Sequence, residues 1–340
     1  AEDRILECYI RNLPAPPSPL IEPYLREANF SHVAVVGRGC KLDSALVSAL
    51  VERWRPETHT FHIPYSRCTI TQEDMQLQLW LLVDGSVVIG FVQAADWRGA
   101  CCKLLGLVPE TIYRGRIKTS WFRRNFEGLD EDSTEVERER HARAYILQII
   151  GGILMLDRSR NLVHPMWLLK LVNFREAGEL NWGFAMLAIL YWRCVERRNH
   201  RKLKLMVAFY YCNHEHGIGF HFYVLEWNHG PSYVGLPNEL RDIRLLLDKQ
   251  SKMEHVKVSL VVYVTVEMHE SNRVLQQFGF RQSIPVAPQY LDDLHHIDLR
   301  ERTNENWPMF YAQFINIWNN RYDFLPTHEA IIVPELTCVL

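Results

Sequence analysis

The stretch ALVERWRPETHTFHIP, residues 49–64, contains a change of hydrophobic period that decides the class of fold. Just before and within its start, the apolar positions of residues 42–51 fall on one face of a helix. Pro56 ends this helix, because proline disfavours the helical conformation of the residue that precedes it. Residues 58–63 then alternate as a strand does, and CTIT at 68–71 is the expected partner. We therefore predict a corner at which a helix leads into a short hairpin.

The same stretch carries groups that could do acid–base chemistry. Glu57, His59 and His62 are residue types that accept and donate protons in enzymes. On a strand, however, Glu57 and His59 would share one face while His62 would lie on the other, and no nucleophile lies beside them. We therefore favour a structural role, in which Trp54 and Phe61 are buried and anchor the corner.

The composition restricts the classes of protein to which the chain can belong. Its 340 residues are 48% hydrophobic and 23% charged, which is ordinary for a globular protein. The net charge of −2 argues against DNA binding by general neutralisation of phosphates. No apolar run approaches the roughly eighteen residues that a membrane span needs, and no secretory signal pattern is present. The eight cysteines are scattered, which predicts a reducing compartment.

The remaining periodicity predicts mainly helices. A charge run at 127–140 merges into a helix that weakens at Gly151 and Gly152. We expect a helix-dominated α+β fold, formed by a single large domain with small β-hairpins or a small sheet and preceded by a Pro-rich arm at residues 1–19. The other predicted elements are helices at 181–197, 271–278 and 307–320 and a strand at 256–266.

Two features have the residue types of a metal or cofactor site. The first is YYCNHEHGIGFH, and its spacing matches none of the common zinc-finger patterns, so we expect a His-rich loop without metal. The second is Lys170, for which a lysine extending from a helix is a commoner explanation than a Schiff base. With no dinucleotide or phosphate-loop motif, we expect no cofactor and no catalytic residue. The metal-ligand residue types of the first feature are Cys212, His214, Glu215, His216 and His221.

Basic residues interleave with aromatic ones in two segments, RGRIKTSWFRRNF at 114–126 and RRNHRKLK at 197–204. The first could bind nucleic acid by charge and by stacking. The alternative is a solvated helix face that the acidic run after it balances, and this alternative is favoured by the overall charge. The nucleic-acid candidates are Arg116, Lys118, Trp121, Arg123 and Arg124.

Several blocks of the sequence, taken in order, resemble the plant mobile domain, a family also labelled aminotransferase-like. They include LVSALVERWRPETHTFHIP, SWFRRNF, HARAYILQIIGG, AGELNWGFAMLAILYWRC and ESNRVLQQFGFRQSIP. The resemblance covers roughly residues 20–335, which we take as one domain. The positions that carry it include Trp54, Arg55, Pro56, Glu57, Thr58, His59, Phe61, Asp74, Tyr145, Gly151, Gly152, Trp182, Gly183, Arg273, Gln277, Phe278 and Gly279.

The resemblance implies a nuclear protein of plants. The family occurs in transposable elements, and its Maintenance of Meristems-like members are linked to meristem maintenance, genome integrity and silencing of repeats. Other members are long-form homologues of serine/threonine phosphatases. We expect a non-enzymatic protein that binds nuclear proteins, a phosphatase-like one among them, and nucleic acid at most weakly.

Two alternatives remain open. The first is a cryptic hydrolase or transferase that uses Glu57 with His59, or Cys212 with His214 and His216. The second is a phosphatase-associated accessory domain.

Overall fold

The described part of the chain is a helix-dominated α+β structure with three small antiparallel sheets, as the sequence predicts. The structure is a computed structural model. It describes residues 16–36, 52–55, 57–63, 66–88, 96–113, 115–154, 162–195, 257–262, 265–270 and 306–321.

The N-terminal elements combine short helices with a three-stranded sheet of order β1-β2-β3. Trp54 pairs with Phe61, and Phe61 pairs with Cys68 on its other side. The elements are a 3₁₀ turn at Pro19–Ile21, α1 at Glu22–Glu27, α2 at Ser31–Val36, β1 at Trp54–Arg55, β2 at Thr60–Ile63, β3 at Ser66–Cys68, α3 at Gln72–Leu79 and α4 at Trp97–Leu105.

The middle of the chain contains the longest helices of the described part. A two-stranded sheet, in which Ile117 pairs with Val163, joins its two halves. The elements are β4 at Ile117–Lys118, α5 at Thr119–Asn125, α6 at Glu135–Ile149, a π-helical turn at Ile150–Leu154, β5 at Leu162–Val163, α7 at Met166–Lys170, α8 at Phe174–Gly178 and α9 at Trp182–Val195.

The C-terminal elements are β6 at Lys257–Val262, β7 at Thr265–Glu270, α10 at Trp307–Phe310 and α11 at Ala312–Asn319. The hairpin β6–β7 packs against α9 on one side and α11 on the other. Ser259 donates a 2.7 Å hydrogen bond to the carbonyl of Phe314, and the ring of Trp318 lies 4.2 Å from that of Phe184. The C-terminal elements therefore share the core of the N-terminal ones.

The structure confirms the hairpin and the buried Trp54–Phe61 pair of the predicted corner and corrects other details, whereas the predicted helix over residues 42–51 lies outside the described residues. Trp54 and Phe61 are 5% and 1% exposed and meet edge to face at 4.7 Å. The hairpin is present, but its strand begins at Thr60, and β1 adds a third strand that the sequence did not predict. Residues 57–59 form a turn instead, so the expected strand face shared by Glu57 and His59 is wrong.

Two other predicted elements are each divided in the structure. The predicted strand at 256–266 is a hairpin of two strands, β6 and β7. The predicted helix at 307–320 is two helices, α10 and α11, which are separated at Tyr311. The predicted helix at 271–278 lies outside the described residues.

Helix α6 begins at Glu135, inside the predicted charge run of residues 127–140, and its first turn is closed by side chains. Thr134 accepts a hydrogen bond from the N–H of Glu137, and the Glu137 carboxylate accepts a 2.8 Å bond from the N–H of Thr134. This reciprocal capping box pairs two of the N–H groups that a helix start leaves without partners. Hydrogen bonds from the Thr134 backbone and side chain lower the pKa of Glu137.

The other end of this segment depends on a glycine of the family motif. Gly151 lies in the π-helical turn, and a Cβ there would lie 2.6 Å from the Cβ of Val163. Because real Cβ contacts are almost never that short, β5 approaches the turn only where a side chain is missing. Gly152 lies in the same turn.

The start of α9 is held by a buried asparagine. Asn181 donates from its side chain to the carbonyl of Val83 at 2.7 Å and accepts from the N–H of Phe184 at 2.9 Å. Gly183, another position of the family motif, donates its N–H to the carbonyl of Leu82 at 3.1 Å. A Cβ on Gly183 would lie 2.7 Å from Val83. Residues 82–86 are therefore fixed against the first turn of α9.

We predict that Asn181→Ala lowers the free energy of unfolding by about 2–4 kcal/mol. The loss combines an N-cap, worth about 1 kcal/mol, with a buried carbonyl that is left without its donor. The matched control is Asn173→Ala, which removes the exposed N-cap of α8 and should cost about 1 kcal/mol. Urea denaturation of both variants measures the difference, and equal losses would contradict the role of Asn181 in holding residues 82–86.

Candidate functional site

The turn of the PETHTFH motif carries the histidine that the sequence singles out. His59 has a φ of 51°, a left-handed conformation that few residue types other than glycine adopt. Its carbonyl accepts a 2.5 Å hydrogen bond from the hydroxyl of Thr69. The hydroxyls of Thr58 and Thr60 lie 2.7 Å apart beside it. The turn is therefore fixed by side chains on both sides of His59.

The ring of His59 points into the molecule, where it contacts β7 and α9. It stacks on the ring of Tyr191 at 4.4 Å with an interplanar angle of 12°. Its Nδ1 lies 3.3 Å from the carbonyl oxygen of Met268, and its Nε2 lies 3.5 Å from a carboxylate oxygen of Glu267. The Glu267 side chain is 2% exposed. A buried carboxylate beside an imidazole is thus formed by residues far apart in the sequence.

The hydroxyl of Tyr191 joins the same group of side chains to β3 and to the end of β7. It donates to the carbonyl of Ile70 at 2.6 Å and lies 3.0 Å from the hydroxyl of Thr69. It also lies 3.3 Å from Nδ1 of His269, which is buried. We call His59, Thr69, Tyr191, Glu267 and His269 the buried polar network.

The buried polar network contains acid–base groups, and the contacts described for them are with other protein groups. A general base must reach the proton that it removes from a substrate. Here the ring of His59 is covered by Tyr191, and the Tyr191 hydroxyl is engaged with three protein groups. Among the described residues, a cavity of about 420 Å³ is lined by Pro19, Glu22, Pro23, Arg26 and Glu27, and none of these belongs to the network. The arrangement holds three chain segments together.

Local sequence patterns do not pair the residues of this network. His59 was a candidate, but its expected companion Glu57 is exposed. The residues that sequence reasoning missed are Tyr191, Glu267 and His269. One signal was present, because Glu267 and His269 alternate with apolar residues in a β-branched segment, where buried polar groups require partners.

The other candidate residues are not brought together as a site in the part of the chain that is described. No group of three or more His, Cys, Asp or Glu side chains could hold a metal ion among these residues. Burial lowers the pKa of Lys170, which ends α7, and raises the pKa of the Cys101 thiol to about 11. A thiol with so high a pKa is a poor nucleophile at neutral pH. The predicted loop with Cys212, His214, Glu215, His216 and His221 lies outside the described residues.

The basic segment at 114–126 differs from its prediction at one residue. Trp121 is buried, where it packs edge to face against Phe122 and Phe126, so it cannot stack on a base in this conformation. Lys118 and Arg124 are exposed, and Arg116 and Arg123 are half-buried. Tyr113 is an exposed aromatic residue. It lies beside Arg116, because the backbone N–H and carbonyl of the two residues pair across a tight turn.

The positions of the family motif lie mainly in the core and in turns. Tyr145 is buried in α6, Trp182 is buried in α9, and Arg55 is exposed on β1. Asp74 lies in α3. No helix of the described part is long and apolar enough to cross a membrane. The positions outside the described residues are Pro56, Arg273, Gln277, Phe278 and Gly279.

Comparison with known proteins identifies the family. The model of the plant mobile domain matches residues 31–212. Protein MAINTENANCE OF MERISTEMS from Arabidopsis thaliana is 30% identical, over 92% of this chain and 74% of that protein. The chain belongs to the plant mobile domain family. The boundaries 20–335 of a single domain stay a prediction.

Two further relatives from Arabidopsis thaliana are similar to parts of longer proteins. Serine/threonine-protein phosphatase 7 long form homolog is 30% identical over 86% of this chain, but the match spans only 26% of that protein. Protein MAIN-LIKE 2 is 40% identical over 44% of this chain and 23% of its own length. No solved structure matches the chain.

We predict that Tyr191→Phe lowers the free energy of unfolding by about 1–3 kcal/mol, because it leaves buried polar groups of the network without a partner. The stacking of the ring on His59 is kept. Tyr24→Phe is the control, since that hydroxyl makes no hydrogen bond within the described residues, while its ring packs on an aromatic neighbour, Phe174, at 5.4 Å. The control should change stability by less than about 0.5 kcal/mol. Thermal or urea unfolding that shows no difference between the variants would refute the network.

Proposed function

We propose that this chain is a non-catalytic binding domain that acts in the nucleus through contacts with other proteins. The observation that carries the proposal is the orientation of His59, the histidine of the family motif. Its ring holds β7 and α9 to the turn and is not open to a substrate. The motif therefore has a structural explanation that needs no reaction.

A role in meristem maintenance is supported by the long alignment with Protein MAINTENANCE OF MERISTEMS, which covers 92% of this chain. We extend this proposal to genome integrity and the silencing of repeats, and to an origin in a transposable element. A fold held by side chains from distant segments suits a rigid surface that binds partners, because little ordering is needed on binding.

A phosphatase-like protein is the partner that we propose first. A protein named as a phosphatase long form homolog contains a region similar to 86% of this chain. The chain would then act beside such a phosphatase as an accessory domain.

The partner proposal is tested by affinity purification of the tagged chain from nuclei of meristem tissue, followed by mass spectrometry. We expect a phosphatase-like protein at a stoichiometry close to that of the chain. Glu57→Gln is the control variant. Glu57 is an exposed residue of the motif, and its substitution should leave the fold and the recovered partners unchanged. Recovery of the chain alone from nuclei, or its absence from nuclei, would contradict the proposal.

A cryptic hydrolase or transferase is the second candidate, and the 3.5 Å approach of His59 to Glu267 is the observation that favours it. An imidazole beside a carboxylate is a common acid–base pair. Turnover of a phosphoester or acyl substrate by the purified chain, lost in Glu267→Gln while the fold is kept, would favour this candidate over the binding domain.

We predict weak, salt-sensitive binding of nucleic acid through Arg116, Lys118, Arg123 and Arg124. About three phosphate contacts are available there, so affinity for a single strand or a duplex should fall roughly 20- to 40-fold between about 50 and 200 mM salt. Lys118→Ala with Arg124→Ala should lower the slope of log K against log salt by about 1.5. Fluorescence anisotropy measures both quantities.

The control for this experiment is Arg26→Ala with Arg175→Ala, which removes two exposed arginines that pair with Glu22 and Glu27 elsewhere on the surface. It should leave the slope unchanged. Tight binding at 200 mM salt would show that the basic segment binds nucleic acid more strongly than we predict. An equal effect of both double variants would show that the basic segment is not the contact surface.

A further inference from the structure

The three-stranded sheet presents two different faces. Antiparallel partners lie on the same face of a sheet, and residues two apart on one strand do so as well. Trp54 and Phe61 therefore share the face that packs in the core. Arg55 pairs with Thr60, and His62 pairs with Arg67. The second face thus carries Arg55, Thr60, His62 and Arg67, with at least one basic side chain from each strand. We call Arg55, His62 and Arg67 the basic triad.

The imidazole of His62 lies between the two arginines. Arg67 is its direct cross-strand partner, and Arg55 is its diagonal neighbour across β2, at a typical separation of about 7–8 Å. Burial, and then the charges of Arg67 and Arg55, lower the pKa of His62. The ring therefore lies in a positive electrostatic field to which both arginines contribute.

His62 also has a polar atom without a partner. Its Nε2 is buried and makes no hydrogen bond within the described part of the chain. A buried polar group in this state destabilises the fold, and native proteins rarely leave such groups unsatisfied. An acceptor that enters the face from solvent would satisfy this nitrogen.

The two arginines of the basic triad are available to such a ligand. Both are exposed, and neither forms an ion pair with a carboxylate of the described residues. Arg55 donates one 3.3 Å hydrogen bond to the carbonyl of Trp54, which leaves most of its N–H groups unused. The side chain of Arg67 makes no hydrogen bond within the described residues.

We propose that the basic triad binds the terminal phosphoryl group of a phosphate monoester. Guanidinium groups recognise phosphate oxygens through paired N–H donors, and the long arginine side chains can converge on one anion held between them. Nε2 of His62 supplies the third donor.

Three donors from three strands suit the three free oxygens of a monoester better than a nucleic-acid diester. A diester in a nucleic-acid backbone has only two free oxygens and a single negative charge. The dianion of a monoester also balances two arginines. The site is distinct from the basic segment at 114–126, and it does not depend on the non-catalytic function proposed above.

The test titrates the full chain with inorganic phosphate, which is the first probe. Nuclear magnetic resonance of the histidine rings measures the binding. We expect one set of ring signals, that of His62, to shift with saturation, because phosphate accepts from Nε2. Arg55→Ala and Arg67→Ala should each weaken phosphate binding at least about tenfold, which is the loss of one strong charge-assisted contact. The double variant Arg26→Ala with Arg175→Ala is the control and should bind as the unchanged chain does.

Conservative variants keep the test decisive if an alanine variant fails to fold. Arg55→Lys and Arg67→Lys keep the charge but lose the planar fork, so binding should weaken by several-fold while the circular dichroism spectrum is unchanged. His62→Gln should weaken binding less than either alanine variant does, since the amide keeps one donor.

Two further probes identify the source of the phosphoryl group. O-phosphoserine, free and within a peptide, should compete with inorganic phosphate, and a peptide that binds more tightly than the free amino acid indicates a protein-borne monoester. Equal binding of the two indicates a small-molecule monoester. The proposal is overturned if phosphate shifts no His62 signal, if the control variant loses binding as the triad variants do, or if a single-stranded oligonucleotide competes better than O-phosphoserine.

Discussion

The contacts of Tyr191 are the constraint on which the described structure depends. Its ring stacks on His59, and its hydroxyl contacts groups 121, 122 and 78 positions away in the sequence at Ile70, Thr69 and His269. Each group is buried, where an unmatched polar atom costs more than a matched one contributes. The arrangement is therefore cooperative: displacing the hairpin β2–β3, helix α9 or strand β7 would break several buried hydrogen bonds at once.

This constraint explains the conformation of the family motif. The left-handed backbone of His59 is unfavourable for most side chains, but it turns the ring towards Glu267 and Tyr191 while β1 and β2 remain paired. From this turn the imidazole reaches both the Met268 carbonyl and the Glu267 carboxylate. The hydroxyls of Thr58 and Thr60 and the imidazole of His59 therefore make contacts that hold the turn in place, whereas Glu57 is exposed.

Local patterns were enough to predict the elements whose signals are local. The helix predicted at 181–197 is present as α9, because the apolar residues of this segment alone repeat with the helical period of 3.6 residues and form one buried face. The strand at 256–266 was incorrectly predicted as one strand because no Gly, Asn, Asp or Pro marks the connection between β6 and β7. The buried polar network could not be predicted, since His59 and Met268 are 209 positions apart and no local pattern pairs them.

Substitutions of neighbouring residues in this motif should have different effects, because these residues lie on opposite faces of the three-stranded sheet. Trp54 and Phe61 face the core, so their loss would affect any function through unfolding. Arg55 and His62 are next to them in the chain but lie on the other face, together with Arg67. Changes there leave the apolar core intact and alter what the surface can bind. Because alternate residues of a strand lie on opposite faces, one set stabilises the fold and the other is available for binding. A ligand of the basic triad would therefore contact residues whose positions are fixed by the buried face of the same sheet.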